Sequence, residues 1–264
     1  KLFKNNLSVK KCLIIKKNNR SMVTVILNVY KRKEYFQKQI QSIKSQTVPV
    51  DIWVDFTPQS KEELSLIDDY PDLKFSIRWN QNLKFHGRFN YALNADTEYI
   101  FVCDDDIIPG PKYLEHCIET MKKYGDSLLT TYGVILNPKI NGYGQLDKAG
   151  WHTMNENPVI VDMAGHSWFF KKEHLKYLNY EEPVSRDNGE DLHFSYMLKK
   201  YANIPVMVPS HKSSEPDKLG CDPKLGEIYG TDEHATWKKS NHMPIRNKIV
   251  KTYRKDGWKL VKEK

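Results

Sequence analysis

Apolar positions along this chain follow two rhythms. Short runs rich in β-branched and aromatic residues recur at positions 22–27, 52–56, 74–79 and 99–103. Each predicts a buried strand. Between them the spacing turns helical: Phe36, Ile40 and Ile43 fall at i, i+4 and i+7, which marks one apolar helix face. Ser60 is placed to cap a short helix carrying Leu64 and Ile67, and positions 87–95 read as a third helix. Pro111 opens a further helix whose buried face is Leu114, Cys117, Ile118 and Met121.

The second half is less regular. Positions 127–136 predict one long strand, and 137–157, rich in Asn and Gly, a mobile loop. Strands are expected at 159–163 and 167–170, around Ala164-Gly165-His166, and at 204–208 after a helix over 189–201. Positions 209–235 are polar, with Pro and Gly, and are expected to form a lid. Pro244 begins a last helix through Arg254. Residues 1–20 read as a basic extension, with Leu13-Ile14-Ile15 a short edge strand, ahead of a single domain over 21–264.

Strands separated by helices imply an α/β fold with a parallel, doubly wound sheet. In such sheets ligands gather at the carboxyl ends of the strands. The loop from Asn28, the turn after Asp55 and the acid run from Asp104 all lie at such ends.

Charge and cysteine usage add context. The net charge of +8 is carried by the ends: residues 1–20 have seven Lys/Arg and no acid, and 238–264 have ten against two acids. Basic ends around a slightly acidic body suit peripheral contact with an anionic membrane surface or an acidic polymer. Ordinary solubilising charge explains them equally well. No aromatic-interleaved basic stripe suggests nucleic acid as a partner. Four scattered cysteines (Cys12, Cys103, Cys117, Cys221) offer no zinc spacing. They point to a reducing, cytoplasmic setting. No stretch reaches the roughly 18–20 apolar residues of a membrane span.

The sharpest chemical signal is Phe101-Val102-Cys103-Asp104-Asp105-Asp106. A buried strand ending in three adjacent carboxylates needs positive charge among them, and hard oxygen donors suit a divalent cation. A solvated acidic turn is the plainer explanation, but such turns rarely follow so apolar a strand.

The succession NVYKR, NQNLKFHGRFNYAL, DDD, VDMAGHSWFF, GEDLHFSYML and HMPIR resembles the GT-A fold glycosyltransferases. Within them it is most similar to the exostosin-type and bacterial heparosan-type N-acetylhexosaminyltransferases, over roughly residues 22–254. The resemblance implies a mixed, Rossmann-like sheet flanked by helices, with a nucleotide-binding half over about 21–110 and an acceptor-binding half over about 111–264. The implied donor is a UDP-sugar and the cofactor Mn²⁺ or Mg²⁺. The acceptor would be an oligosaccharide or lipid-linked glycan in polysaccharide or glycoconjugate synthesis.

By that resemblance Asp106 holds the metal, Asp104 faces the ribose while joining the metal site, and Asp105 touches the donor sugar. His211 is implied as a further metal ligand, with His242 the alternative. Tyr30 and Arg32 match positions near the base and phosphates, Asp55 the uracil-reading position, and Asn82, Arg88 and Asn90 a second nucleotide segment. Asp162, Gly165 and His166 would line the sugar pocket. Glu190 and Asp191 match the family's Glu-Asp motif, and Arg246 its C-terminal Arg, expected at the leaving diphosphate. Trp151, Trp168 and Trp237 are candidates for stacking on acceptor sugars.

Two outcomes stay open for Asp191: acceptor binding in a retaining enzyme, which the exostosin likeness favours, or general base in an inverting one that moves a hexose or deoxyhexose. A capping pair at a helix start would explain the two acids more plainly. A non-catalytic glycan- or nucleotide-binding module is the alternative of another class. A nucleotidyltransferase would want a Gly-rich phosphate loop after the first strand, where this chain has Asn28-Val29-Tyr30-Lys31-Arg32.

Overall fold

The structure, a computed structural model, describes residues 21–32, 35–79, 81–231 and 235–263. The basic extension over 1–20 and Cys12 lie outside the described residues.

The first half alternates strand and helix. Strand β1 (Val23–Val29) is followed by α1 (Phe36–Lys44), which buries Phe36, Gln39, Ile40 and Ile43. Strand β2 (Val50–Phe56), a short α2 (Ser65–Asp69), β3 (Lys74–Ile77), α3 (Lys84–Ala92) and β4 (Tyr99–Cys103) complete it. These four strands are parallel, in the order β3-β2-β1-β4. Every residue of β4 is buried, which explains its unbroken apolar reading. A strand covered on both faces has no solvent side to mark with polar residues.

After α4 (Tyr113–Tyr124) the topology departs from the expected single long strand. The stretch divides into β5 (Leu128–Leu129) in the large sheet and β6 (Tyr132–Leu136) in a second, smaller one. Thr130 and Thr131 make the corner: Thr130 Oγ1 donates to Gly165 O at 2.7 Å, and Thr131 N donates to Ser167 Oγ at 3.1 Å. These side-chain bonds replace ladder bonds, so the chain changes sheet without orphaning its backbone.

The expected mobile loop over 137–157 contains a strand, β7 (Gln145–Gly150), paired with β6. The expected strand over 159–163 also divides. Strand β8 (Val159–Val161) joins the large sheet and β9 (Met163–Gly165) the small one. Strand β10 (Ser167–Lys171) runs antiparallel beside β4. A short α5 (Leu175–Leu178) and α6 (Glu190–Ala202) lead to β11 (Val206–Val208). The large sheet thus has the order β3-β2-β1-β4-β10-β5-β11-β8, and the small one β7-β6-β9. This is the mixed α/β architecture of the GT-A fold. The last helices are α7 (Pro223–Gly230) and α8 (His242–Lys255).

Positions 209–231 are tied down rather than loose. The His211 and Asn155 backbones exchange hydrogen bonds, and Gly110 and Lys112 donate to Leu219 and Asp217. No described helix is long and apolar enough to cross a membrane.

Candidate active site

The site grows from the carboxyl end of β4. Asp104 N donates to His166 O at 2.9 Å, joining the acid run to the turn between β9 and β10. His166 takes φ +65° there. Its ring stacks on Trp151, centroids 4.4 Å apart, while the edge of Tyr132 lies 5.1 Å away. Burial lowers the His166 pKa, which favours the neutral imidazole. Ligand atoms of Asp104, Asp106 and His166 all lie within 4.8 Å of one another. Asp106 Oδ1 is buried and has no hydrogen-bond partner.

Burial first, and then a neighbouring acid's charge (Asp106 for Asp105, Asp104 for Asp106), push Asp105 and Asp106 up to about 7. Arg32 answers part of that charge, pairing with Asp105 at 3.0 Å. Three carboxylate-and-imidazole donors, one oxygen unsatisfied and the acids short of positive charge fit a hard divalent cation.

His211 stands differently from its sequence-based assignment. Its Nε2 bonds Trp151 O at 2.9 Å. It supports the residue that stacks on His166 instead of joining the acids, and His166 takes the third place. His242, the alternative, bonds Asn188 at 2.9 Å.

Arg88 on α3 commits both terminal nitrogens to protein partners, while its buried Nε has none. Its guanidinium, 3% exposed, bonds Asp104 at 2.5 Å, Asn28 at 3.2 Å and Glu190 at 3.3 Å. Its guanidinium carbon lies 4.6 Å from the Trp168 ring centroid. This Arg joins the acid run to the start of α6 and leaves little for a phosphate. Trp168 is core beneath it, not a platform for sugar. Asp55 ends β2 as expected but is held by Arg78 at 2.7 Å, a partner the sequence reading passed over. Arg78 sits one residue past β3, and its N–H bonds Phe56 O, so strand register alone could have found the pair.

The second charged group is at the start of α6. Gly189 has φ +92°, and a Cβ there would stand 2.2 Å from Ile249 Cδ1, so only glycine allows α8 so close. Glu190 and Asp191 follow in the first helical turn, where the helix dipole favours negative charge. Arg246, reaching in from α8, bonds Asp191 Oδ1 at 3.1 Å and Oδ2 at 2.9 Å. It also bonds Asn188 at 3.3 Å and lies 4.5 Å from the Tyr143 ring centroid. Arg246 is thus a bidentate holder of Asp191 rather than a free cation awaiting diphosphate. Glu190, buried beside Asp191 and Arg88, is raised to about 7.

Several expected residues stand apart. The Asp162 carboxylate accepts Leu136 N at 2.8 Å and Val261 N at 2.7 Å. Those bonds tie the C-terminal segment down and remove it from any sugar pocket. Gly165 packs its backbone against Tyr132. Asn82 is exposed and accepts Lys84 N at 2.7 Å, a local turn bond. Asn90 is exposed, and Tyr30 is half-buried at the loop after β1. Trp237 is exposed on the rim, its Nε1 donating to Gly230 O at 3.2 Å.

Helix α7 covers the acids. A Cβ on Gly230 would stand 2.6 Å from Asp106 Oδ2, and one on Gly226 would meet the Trp151 ring. Tyr229 stacks on Tyr35 with centroids 4.1 Å apart, and its hydroxyl oxygen accepts from Lys38 Nζ at 2.7 Å. The polar segment expected to act as a lid therefore includes a helix seated over Asp106.

The profile described as "Glycosyl transferase family 2" matches residues 24–179, more than half of the chain. No curated protein sequence matches significantly. Among solved structures, S. aureus TarS 1-349 superposes with a TM-score of 0.52 at 18% identity, over 72% of this chain and 58% of that one. The same fragment in complex with UDP-GlcNAc gives 0.51 at 18% identity, over 72% and 56%. A Pyrobaculum calidifontis mannosyltransferase in complex with GDP-Man and Mn²⁺ gives 0.46 at 17% identity, over 75% and 59%, too loose a likeness to carry weight. At these identities the likeness shows the fold alone. The chain spans less than two thirds of each of these structures.

Proposed function

The chain belongs to glycosyl transferase family 2, and from that membership we propose a divalent-metal-dependent enzyme that moves a sugar from a UDP-sugar onto a glycan. N-acetylhexosamine is the donor sugar we favour, and the TarS complex with UDP-GlcNAc, on the same fold, is its support. The matched profile is coarser than the exostosin-type likeness and does not single that type out.

One observation carries the reading. Asp104, Asp106 and His166 converge at the end of β4, with Asp106 Oδ1 unpartnered and the acids undercompensated. Those three residues would hold Mn²⁺ or Mg²⁺, which when bound offsets charge developing on a departing diphosphate. Asp55 with Arg78, at the end of β2, would face the uracil end of the donor.

Asp191 then accepts the proton of the acceptor hydroxyl as that oxygen attacks the anomeric carbon and the bond to the diphosphate breaks. This is inversion with a general base, and the geometry of Asp191 supports it over retention. Its carboxylate is oriented by two Arg246 bonds and is not shared with another acid. Arg246 acts as its positioning residue.

Calorimetric titration of UDP with and without Mn²⁺ tests the reading. Binding should require the cation. Equal binding in chelator would remove the acids from the donor site.

A further inference from the structure

We propose that the outer face of α8, together with the rim beside it, docks on an anionic phospholipid bilayer. The inference does not depend on the transfer chemistry and would stand with a different donor.

Helix α8 buries Arg246, Ile249, Val250 and Tyr253 toward the site. Its opposite side exposes Lys248, Lys251 and Lys255. Spacings of three and four put these on one stripe. The helix contains no acid, and among the described residues none of the three lysines has an ion-pair partner. Lys200, by contrast, is paired with Glu181 and Asp256. The stripe is therefore free cationic surface on a segment, 238–264, with a net charge of +8.

Large apolar side chains adjoin its N-terminal end. Trp237 is 59% exposed, Met243 46% and Ile228 63%. Trp237 belongs to the turn Thr236–Lys238, which leads into α8. Its bond to Gly230 O fixes the indole beside α7, where Ile228 lies. Single exposed apolar residues are ordinary. A tryptophan and two other large apolar residues at the N-terminal end of a helix whose second half carries unpaired lysines have the composition of an interfacial anchor.

A soluble polyanion would use the lysines and gain little from Trp237 or Ile228. A bilayer uses both, headgroup phosphates for the charges and the acyl boundary for the apolar tips. The inner face of the same helix holds Arg246 against Asp191, so a docked chain keeps that carboxylate near the bilayer surface.

Sedimentation with phosphatidylcholine vesicles, with and without phosphatidylglycerol, tests this on the full chain. Binding should appear only with phosphatidylglycerol and weaken with salt. Combining K248Q, K251Q and K255Q should weaken it on the order of a hundredfold, from about fivefold per lysine. Trp237→Ser should weaken it about tenfold at low and high salt alike. Circular dichroism checks that each variant is folded. Three results would overturn the proposal: no vesicle binding, undiminished binding by the triple variant, or capture by soluble polyphosphate without capture by vesicles.

Discussion

At the end of β4, three carboxylates with Glu190 behind them face two guanidiniums, Arg32 and Arg88, and one buried oxygen of Asp106 has no partner. At the start of α6, a few residues away in space through Arg88, Asp191 meets Arg246 in a two-bond fork and little is left unanswered. Both regions are buried clusters of acid and base. The first is incomplete without a further cation, while in the second each oxygen of Asp191 already has a guanidinium donor. A cluster that the protein leaves undercompensated is one where binding supplies the missing charge. A cluster that it completes is one where orientation matters.

The largest effect should come from the incomplete cluster. Asp106→Asn removes a metal ligand and should lower transfer about a thousandfold or more. The same change relieves like-charge crowding, so the metal-free variant should melt above the parent. A metal-free variant that melts lower would show that Asp106 is already balanced, and the contrast would fail. In the closed cluster the signs reverse. Asp191→Asn should lower kcat about a hundredfold to a thousandfold with UDP binding unchanged. Arg246→Met leaves the Asp191 carboxylate buried and alone, at a cost of about 3–5 kcal/mol of stability. Unfolding by urea, followed by fluorescence, measures it.

A smaller effect sharpens the comparison through pH. Burial, and then repulsion from a neighbouring acid of the run, hold Asp105 and Asp106 up to about 7, against about 4 for an unfolded Asp. Between those values the folded chain binds more protons than the unfolded one. Their contribution to stability therefore falls as pH rises from about 4 to about 7. The metal-free Tm should drop by a few degrees across that window, and Mn²⁺ should restore it at pH 7.5 but do little at pH 5. A metal-free Tm that rises through the window would remove the charge deficit from the picture.

Why one cluster was legible in the sequence and the other only in part follows from the same physics. The acid run is contiguous, and it ends a strand whose apolar run is unbroken because both faces are covered. Its place at the sheet edge could be inferred from residues 99–106 alone. The first four strands and α1 to α4 share that local logic. The Asp191–Arg246 fork joins residues 55 positions apart in sequence, and no periodicity reports such a pair. His166 was found as a pocket residue but not as the third member of the acids, because its positive φ and the Trp151 stack are tertiary facts. The division of 127–136 was hidden for a related reason: Thr130 and Thr131 are good strand residues, and only their side-chain bonds to β9 and β10 reveal the corner.

Asp162 offers the finest test, because it is a third buried carboxylate in a third situation. Burial raises its pKa, while two backbone N–H groups, of Leu136 and Val261, oppose that rise. Those donors sit on two sides of the group, one for each carboxylate oxygen. Asparagine keeps one acceptor oxygen and turns the other into a donor that faces a donor. Asp162→Asn should therefore loosen the C-terminal segment, at about 1–2 kcal/mol for one unsatisfied bond, and leave kcat/KM within about twofold. If Asp162 instead lines the sugar pocket, KM for the donor rises while the melting temperature holds. The two outcomes separate a carboxylate that the fold has already satisfied from one held open for a ligand, which is the distinction between the end of β4 and everything packed around it.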